Sequence, residues 1–144
     1  MKQEKSWGWK MGKKKLKLLL VQRIAFNEAH YAGNLVDGSR IDQLIGDAAT
    51  RLLIEYDGDE GLFRARKTEY LKPVYGGDYL EVYGRITKVG NTSRHMEFEV
   101  YKIITNAKIP NQPSAFDALE KKVLVAKCEG VCVTPKECQR KKKK

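Results

Sequence analysis

One stretch of this chain repeats its apolar residues at helical spacing, while the apolar segments on either side of it alternate. From Val36 onward, Ile41, Leu44, Ile45, Ala48, Leu52 and Tyr56 recur every three or four residues, the spacing that gathers side chains on one face of a helix. Asp37 stands where an N-cap belongs, and Gly58 follows Tyr56-Asp57 as a stop, which predicts a helix of ~18 residues, ~27 Å long. Gly46, Ala48 and Ala49 let that helix pack closely. Lys15–Ile24, Leu62–Leu71, Tyr79–Val89, Ser93–Ile104 and Lys121–Val133 carry a period of two and are rich in Val, Tyr, Phe and Ile, so they read as strands. Breaks fall at Lys72-Pro73 through Gly77-Asp78 and at Gly90-Asn91; Asn106–Ala115 reads as a loop and Phe116–Leu119 as a short turn. A sheet must cover its apolar face, and only one helix is available to do so. The expected fold is α+β: a curved antiparallel sheet of about five strands wrapped round one long helix.

Composition narrows the class. The 144 residues, 42% of them hydrophobic, suit a single domain with a real core, and the apolar fraction is too high for a disordered chain. No apolar run approaches the ~20 residues of a membrane span. Leu18–Val21 is flanked by Lys17 and Arg23, and no secretory pattern is seen, so a cytoplasmic location is expected. The formal charge of +10 is concentrated at the ends: seven of the 28 basic residues lie in Met1–Lys17 and six in Lys136–Lys144. Between them the 15 basic residues face 16 acidic ones. A nucleic-acid module carries its basic face on the folded body, so a nucleic-acid partner is not expected. Residues 1–15 read as a basic extension, 16–135 as the domain and 136–144 as a solvated basic tail. Cys128, Cys132 and Cys138 lack the paired spacing of a zinc site, and His30 and His95 are far away in sequence; reduced structural thiols are expected.

Several local patterns carry a resemblance. Tyr70-Leu71-Lys72-Pro73-Val74-Tyr75-Gly76-Gly77-Asp78 looks like the strand junction of hotdog acyl-CoA enzymes, and Val89-Gly90-Asn91-Thr92-Ser93 resembles their Val-Gly-x-Thr-Ser turn. Ala29-His30-Tyr31-Ala32-Gly33-Asn34-Leu35-Val36-Asp37-Gly38, with Gly46–Thr50 and Asp57–Phe63, is more particular. It resembles the family of 3-aminobutyryl-CoA ammonia lyases, hotdog enzymes of bacterial lysine fermentation. The resemblance covers roughly Leu16 to Ile104. It implies the hotdog fold, a carbon–nitrogen lyase activity, and no permanently bound cofactor, coenzyme A entering as part of the substrate. It also implies sites shared between chains, hence a homodimer or a larger even assembly. Hotdog thioesterases with these turns usually carry an acid seven residues after a Gly-Gly pair; here the pair is Asp37-Gly38, and Ile45 occupies the acidic position. Thioester hydrolysis is therefore the second reading. A non-catalytic acyl-CoA or nucleic-acid binding protein is the third.

Elimination of ammonia from a β-aminoacyl thioester needs donors for the enolate oxygen, a base at the α-carbon and a partner for the nitrogen. The helix start at Asp37-Gly38 can supply the first, with Asn34 beside it. Glu28, His30 and Asp37 are the candidates for proton transfer and ammonium binding. Each has a plainer alternative: Asp37 as cap alone, His30 bonded to a loop carbonyl, Glu28 as a solvated charge. Asp42 and Asp47 are left out of the site. Asn91, Thr92, Ser93 and Arg94 combine a turn, hydroxyls and a guanidinium suited to coenzyme A, with Lys72 a weaker candidate. An ordinary turn with a solvated Arg94 is the alternative. Tyr75, Tyr79 and Tyr83 read as strand packing.

Overall fold

In the computed structural model, which describes residues 15–141, the apolar stripe becomes helix α1, Gly38–Asp57. Its Ile41, Leu44, Ile45, Ala48, Ala49, Leu52 and Leu53 are all buried. Asp37 sits at the N-cap, and Gly58 closes the helix at φ 77° while donating its N–H to the Ile54 carbonyl at 2.9 Å. That left-handed conformation is one that glycine adopts without strain.

Five strands follow the alternating segments: β1 (Lys17–Arg23), β2 (Leu62–Tyr70), β3 (Tyr79–Val89), β4 (Ser93–Asn106) and β5 (Phe116–Val133). They form one antiparallel sheet in the order β1-β3-β4-β5-β2. Leu19, Leu80, Val82, Met96, Phe98, Val100, Val125 and Cys128 turn toward α1 and make one core with it. The expected architecture is the observed one. Phe116–Leu119, expected as a turn, instead opens β5: Phe116, Asp117 and Ala118 pair with Asn106, Thr105 and Ile104. The sheet bends at irregularities, as bulges do. Between Val100↔Ala126 and Tyr101↔Leu124 the register skips Val125, whose carbonyl then takes the N–H of Leu71 at 2.7 Å. This bond ends β2 and turns the chain into Lys72-Pro73-Val74.

The face of the sheet away from α1 is polar. Tyr79 stacks near Arg23 at 5.3 Å, and Tyr83 and Tyr101 flank the Lys122 ammonium at 4.3 and 4.7 Å. Arg85 pairs with Glu97 at 2.6 Å. Cys128, Cys132 and Cys138 are free thiols. Burial pushes Cys128 up to about 11 and Cys132 to about 12. The basic tail is not simply solvated over its described part. Lys136–Cys138 forms a 3-10 turn, and the backbone N–H groups of Arg140 and Lys141 reach the Asp57 carbonyl at 3.0 and 3.3 Å. Residues 1–14 and 142–144, including most of the basic extension, lie outside the described residues. Among the described residues no helix is long and apolar enough to cross a membrane.

Candidate active site

The connection from β1 to α1 is held to the β2–β3 connection by backbone bonds. Ile24 N–H reaches Asp78 O at 2.9 Å, Gly77 N–H reaches Ile24 O at 2.7 Å, and Val36 N–H reaches Val74 O at 2.8 Å. Two segments distant in sequence thus converge at the start of α1. They enclose a cavity of about 420 Å³ lined by Tyr31, Leu35–Gly38, Ile41 and Tyr70–Val74. Its wall is mostly apolar, with Asp37 and Lys72 as its charged members. No backbone N–H of the first helical turn is capped by the Asp37 side chain. The positive end of the helix dipole therefore faces this cavity, a setting that favours a developing anion.

Asp37 is nearly buried, at 14% side-chain exposure, and its Oδ2 lies 3.9 Å from His30 Nε2. The Ser39 hydroxyl donates to the same oxygen. The carboxylate occupies the cap position without doing the work of a cap, so it remains available to His30. His30 is exposed and meets the Tyr31 ring edge-on at 4.9 Å. Among the described residues it bonds no loop carbonyl.

Other candidates are placed differently. Glu28 is partly exposed but not free: Oε1 accepts the Ala25 N–H at 2.8 Å and Oε2 accepts Arg40 Nε at 2.6 Å. A carboxylate so engaged fixes the loop to the first turn of α1. Asn34 takes a left-handed φ of 64° and donates Nδ2 to Gly76 O at 3.2 Å; it ties the two loops together and does not line the cavity. Gly38 is crowded by a side chain of this protein: a Cβ there would lie 2.7 Å from Cζ of Tyr70.

The Asn91–Arg94 turn lies at the other end of α1. Arg94, expected at a coenzyme A phosphate or in solvent, is buried at 1% exposure. Its Nε and Nη2 donate to the two oxygens of the fully buried Asp57 at 2.8 and 2.9 Å. A guanidinium locked in this way cannot reach a ligand. The Asn91 carbonyl takes Gln139 Nε2 at 3.0 Å, and the Thr92 carbonyl takes the Thr134 N–H at 2.9 Å. A 20-residue helix spans ~30 Å, so within one chain Asn91, Thr92 and Ser93 do not join the cavity at Asp37.

Asp42 and Tyr70 are the residues that sequence reasoning passed over. The Tyr70 hydroxyl donates to Asp42 Oδ2, and the Thr68 hydroxyl donates to Oδ1 at 2.7 Å. Burial and the adjacent carboxylate push the Tyr70 phenol up to about 12. Tyr70 was visible as the first residue of the Tyr-Leu-Lys-Pro-Val junction, but no periodicity links it to Asp42. Among the described residues no group of His, Cys, Asp and Glu side chains is arranged to hold a metal ion.

Comparison with known proteins adds to this geometry. Residues 39–105 match the model of the thioesterase superfamily. The chain is 51% identical over 127 residues to a 3-aminobutyryl-CoA ammonia lyase of Acetoanaerobium sticklandii, covering 88% of this chain and 100% of that protein. The structure superposes on β-alanyl-CoA:ammonia lyase from Clostridium propionicum with a TM-score of 0.81 and 37% identity, over 87% of this chain and 89% of the other. A hexameric thioesterase from Yersinia pestis shares the fold, with a TM-score of 0.69 at 15% identity, over 90% of this chain and 95% of that one.

Proposed function

Because the chain belongs to the 3-aminobutyryl-CoA ammonia lyase family, we propose that it eliminates ammonia from 3-aminobutyryl-CoA to give crotonyl-CoA. The observation that carries this reading is the His30–Asp37 pair at the uncapped start of α1, beside a cavity with apolar walls. The thioester makes its α-proton removable because the carbonyl oxygen can carry the developing charge. With that oxygen at the first-turn N–H groups, one such donor is worth ~10²–10³ in rate. His30, oriented by Asp37, takes the α-proton. The electron pair of the Cα–H bond becomes the Cα=Cβ double bond, and the Cβ–N bond breaks with its pair leaving on neutral ammonia. The proton on His30 passes to solvent or to that ammonia, so the reaction balances as an enoyl thioester plus ammonium. Apolar Leu35, Val36, Ile41 and Val74 surround a short acyl chain.

Ile45, which stands where the thioesterase pattern has its acid, is wholly buried in the core, and this argues against hydrolysis as the main activity. Coenzyme A is part of the substrate in this reading, with Lys72 at the cavity rim, and the enzyme works where CoA thioesters are made, in the cytoplasm. Sheet edges at β1 and β2, with Leu62 of β2 76% exposed, support a homodimer or larger even assembly. In such an assembly Asn91, Thr92 and Ser93 of one copy can serve the cavity of another. Incubation with crotonyl-CoA and ammonium tests the proposal. Loss of enoyl-thioester absorbance with no release of free thiol is expected; free thiol without addition would establish a thioesterase instead. His30→Ala should lower the addition rate by ~10²-fold or more.

A further inference from the structure

We propose that Tyr70 is a specificity-determining residue that accepts a hydrogen bond from the β-ammonium group of the substrate, and that Asp42 is the positioning residue which sets it up. The inference rests on the ammonia-lyase reading above and deepens it. Tyr70 ends β2 and lines the cavity beside Asp37 and Gly38. Its ring and hydroxyl lie against the first residue of α1, since a Cβ on Gly38 would be 2.7 Å from Cζ and 3.0 Å from the phenol oxygen. Asp42 stands four residues further along α1, on the same face of the helix, and accepts a hydrogen bond from the phenol.

The direction of that bond decides what Tyr70 can recognise. With its O–H directed at Asp42, the phenol oxygen offers only lone pairs to the cavity. A phenol raised to about 12 keeps its proton throughout the neutral range. Both carboxylate oxygens of Asp42 are engaged, one by Tyr70 and the other by Thr68, and its backbone carbonyl takes Arg66 Nη1 at 2.7 Å, so the residue is held in place beside the phenol. Tyr70 nevertheless remains 49% exposed. An acceptor at this place selects a ligand with an N–H donor. In a β-aminoacyl group the ammonium is the donor, and a crotonyl group has none.

Steady-state addition of ammonium to crotonyl-CoA by Tyr70→Phe separates recognition from architecture. Removing a hydrogen bond to a charged group should raise KM for ammonium about tenfold or more, while KM for crotonyl-CoA stays within about twofold. Asp42→Asn keeps an oxygen for the phenol but removes the charge, and should shift the same KM in the same direction by less. It also carries the test if Tyr70→Phe does not fold. Equal rises in both KM values, or an unchanged KM for ammonium, would overturn the inference. No addition by the unmodified protein would refute the ammonia-lyase reading itself, and the inference with it.

Discussion

Replacing Arg94 by methionine should destabilise the domain by about 3–5 kcal/mol, the cost of breaking a buried ion pair from one side. Arg94 and Asp57 are 1% and 0% exposed, so little solvent screening reduces the penalty. Loss of the guanidinium strips two hydrogen bonds of 2.8 and 2.9 Å from the Asp57 carboxylate. It also removes the donor that Nη1 offers to the carbonyls of Gly90 and Ser93 at 3.0 and 3.1 Å. These carbonyls belong to the hairpin turn and can take up water, so the two hydrogen bonds lost at the buried Asp57 carboxylate dominate. Against a total stability of ~5–15 kcal/mol, the loss is a fifth or more, and at roughly 3 °C per kcal/mol the thermal midpoint should fall by about 9–15 °C. Asp57→Leu combined with Arg94→Met should recover most of it, because an apolar pair buries no charge. Urea unfolding of the single and double variants supplies the numbers, and KM for acyl-CoA should not change in Arg94→Met at temperatures where it is folded. A variant with unchanged stability and a raised KM would refute the structural role and return Arg94 to the coenzyme A site.

Asp37→Asn should slow elimination strongly with an unchanged melting temperature, since the Asp37 side chain caps no N–H of α1 and asparagine keeps an oxygen for the Ser39 hydroxyl; an unchanged rate would show that the charge takes no part in the chemistry. Gly38→Ala pushes a methyl carbon to 2.7 Å from the Tyr70 ring, so activity should fall although alanine is the better helix former; a parental rate would show that this contact is dispensable. Ile45→Asp places a carboxyl at a site with 0% exposure and should cost several kcal/mol, visible as a lowered urea midpoint; a parental midpoint would mean that the position is open to solvent. Cys128 and Cys132 hold their protons up to about 11 and 12, against an ordinary thiol value of 9.0. The unfolded chain loses those protons first, so stability should fall as pH rises above about 9, and a Cys128→Ala, Cys132→Ala variant should show a weaker fall in its urea midpoint than the parent does.

Legibility followed the range of the interaction. Tyr79–Val89 has the predicted ends, and α1 starts and stops at Asp37 and Gly58 as expected, because caps, turns and periodicity act within a few residues. The start of β5 was missed because Phe116–Glu120 lacks β-branched residues and owes its conformation to pairing with Ile104–Asn106 across the sheet. Arg94 was misread for a related reason. Asp57, its partner, is 37 residues away, and nothing in a local pattern distinguishes a guanidinium facing solvent from one beneath a helix end. Asp37 and Gly38, singled out in the sequence, line the cavity, whereas His30 stands outside its lining, 3.9 Å from Asp37. Glu28 and Asn34 were assigned by residue type, and the structure shows their polar atoms already engaged by Ala25, Arg40 and Gly76.

The pairing of β2 with β5 alone sets a timetable for synthesis. Leu62–Tyr70 leaves the ribosome complete in its own sequence but without a neighbour, and its partner is finished only when Val133 has been added. At ~5–20 residues per second the interval is roughly 3–13 s, during which the strand that carries Tyr70 stays unpaired. Until then Leu71 also lacks the Val125 carbonyl that turns the chain into the cavity wall. The nascent chain can wind its helix early, but the binding cavity is among the last parts to take shape, and chaperone protection in that window should matter more than the small size of the domain suggests.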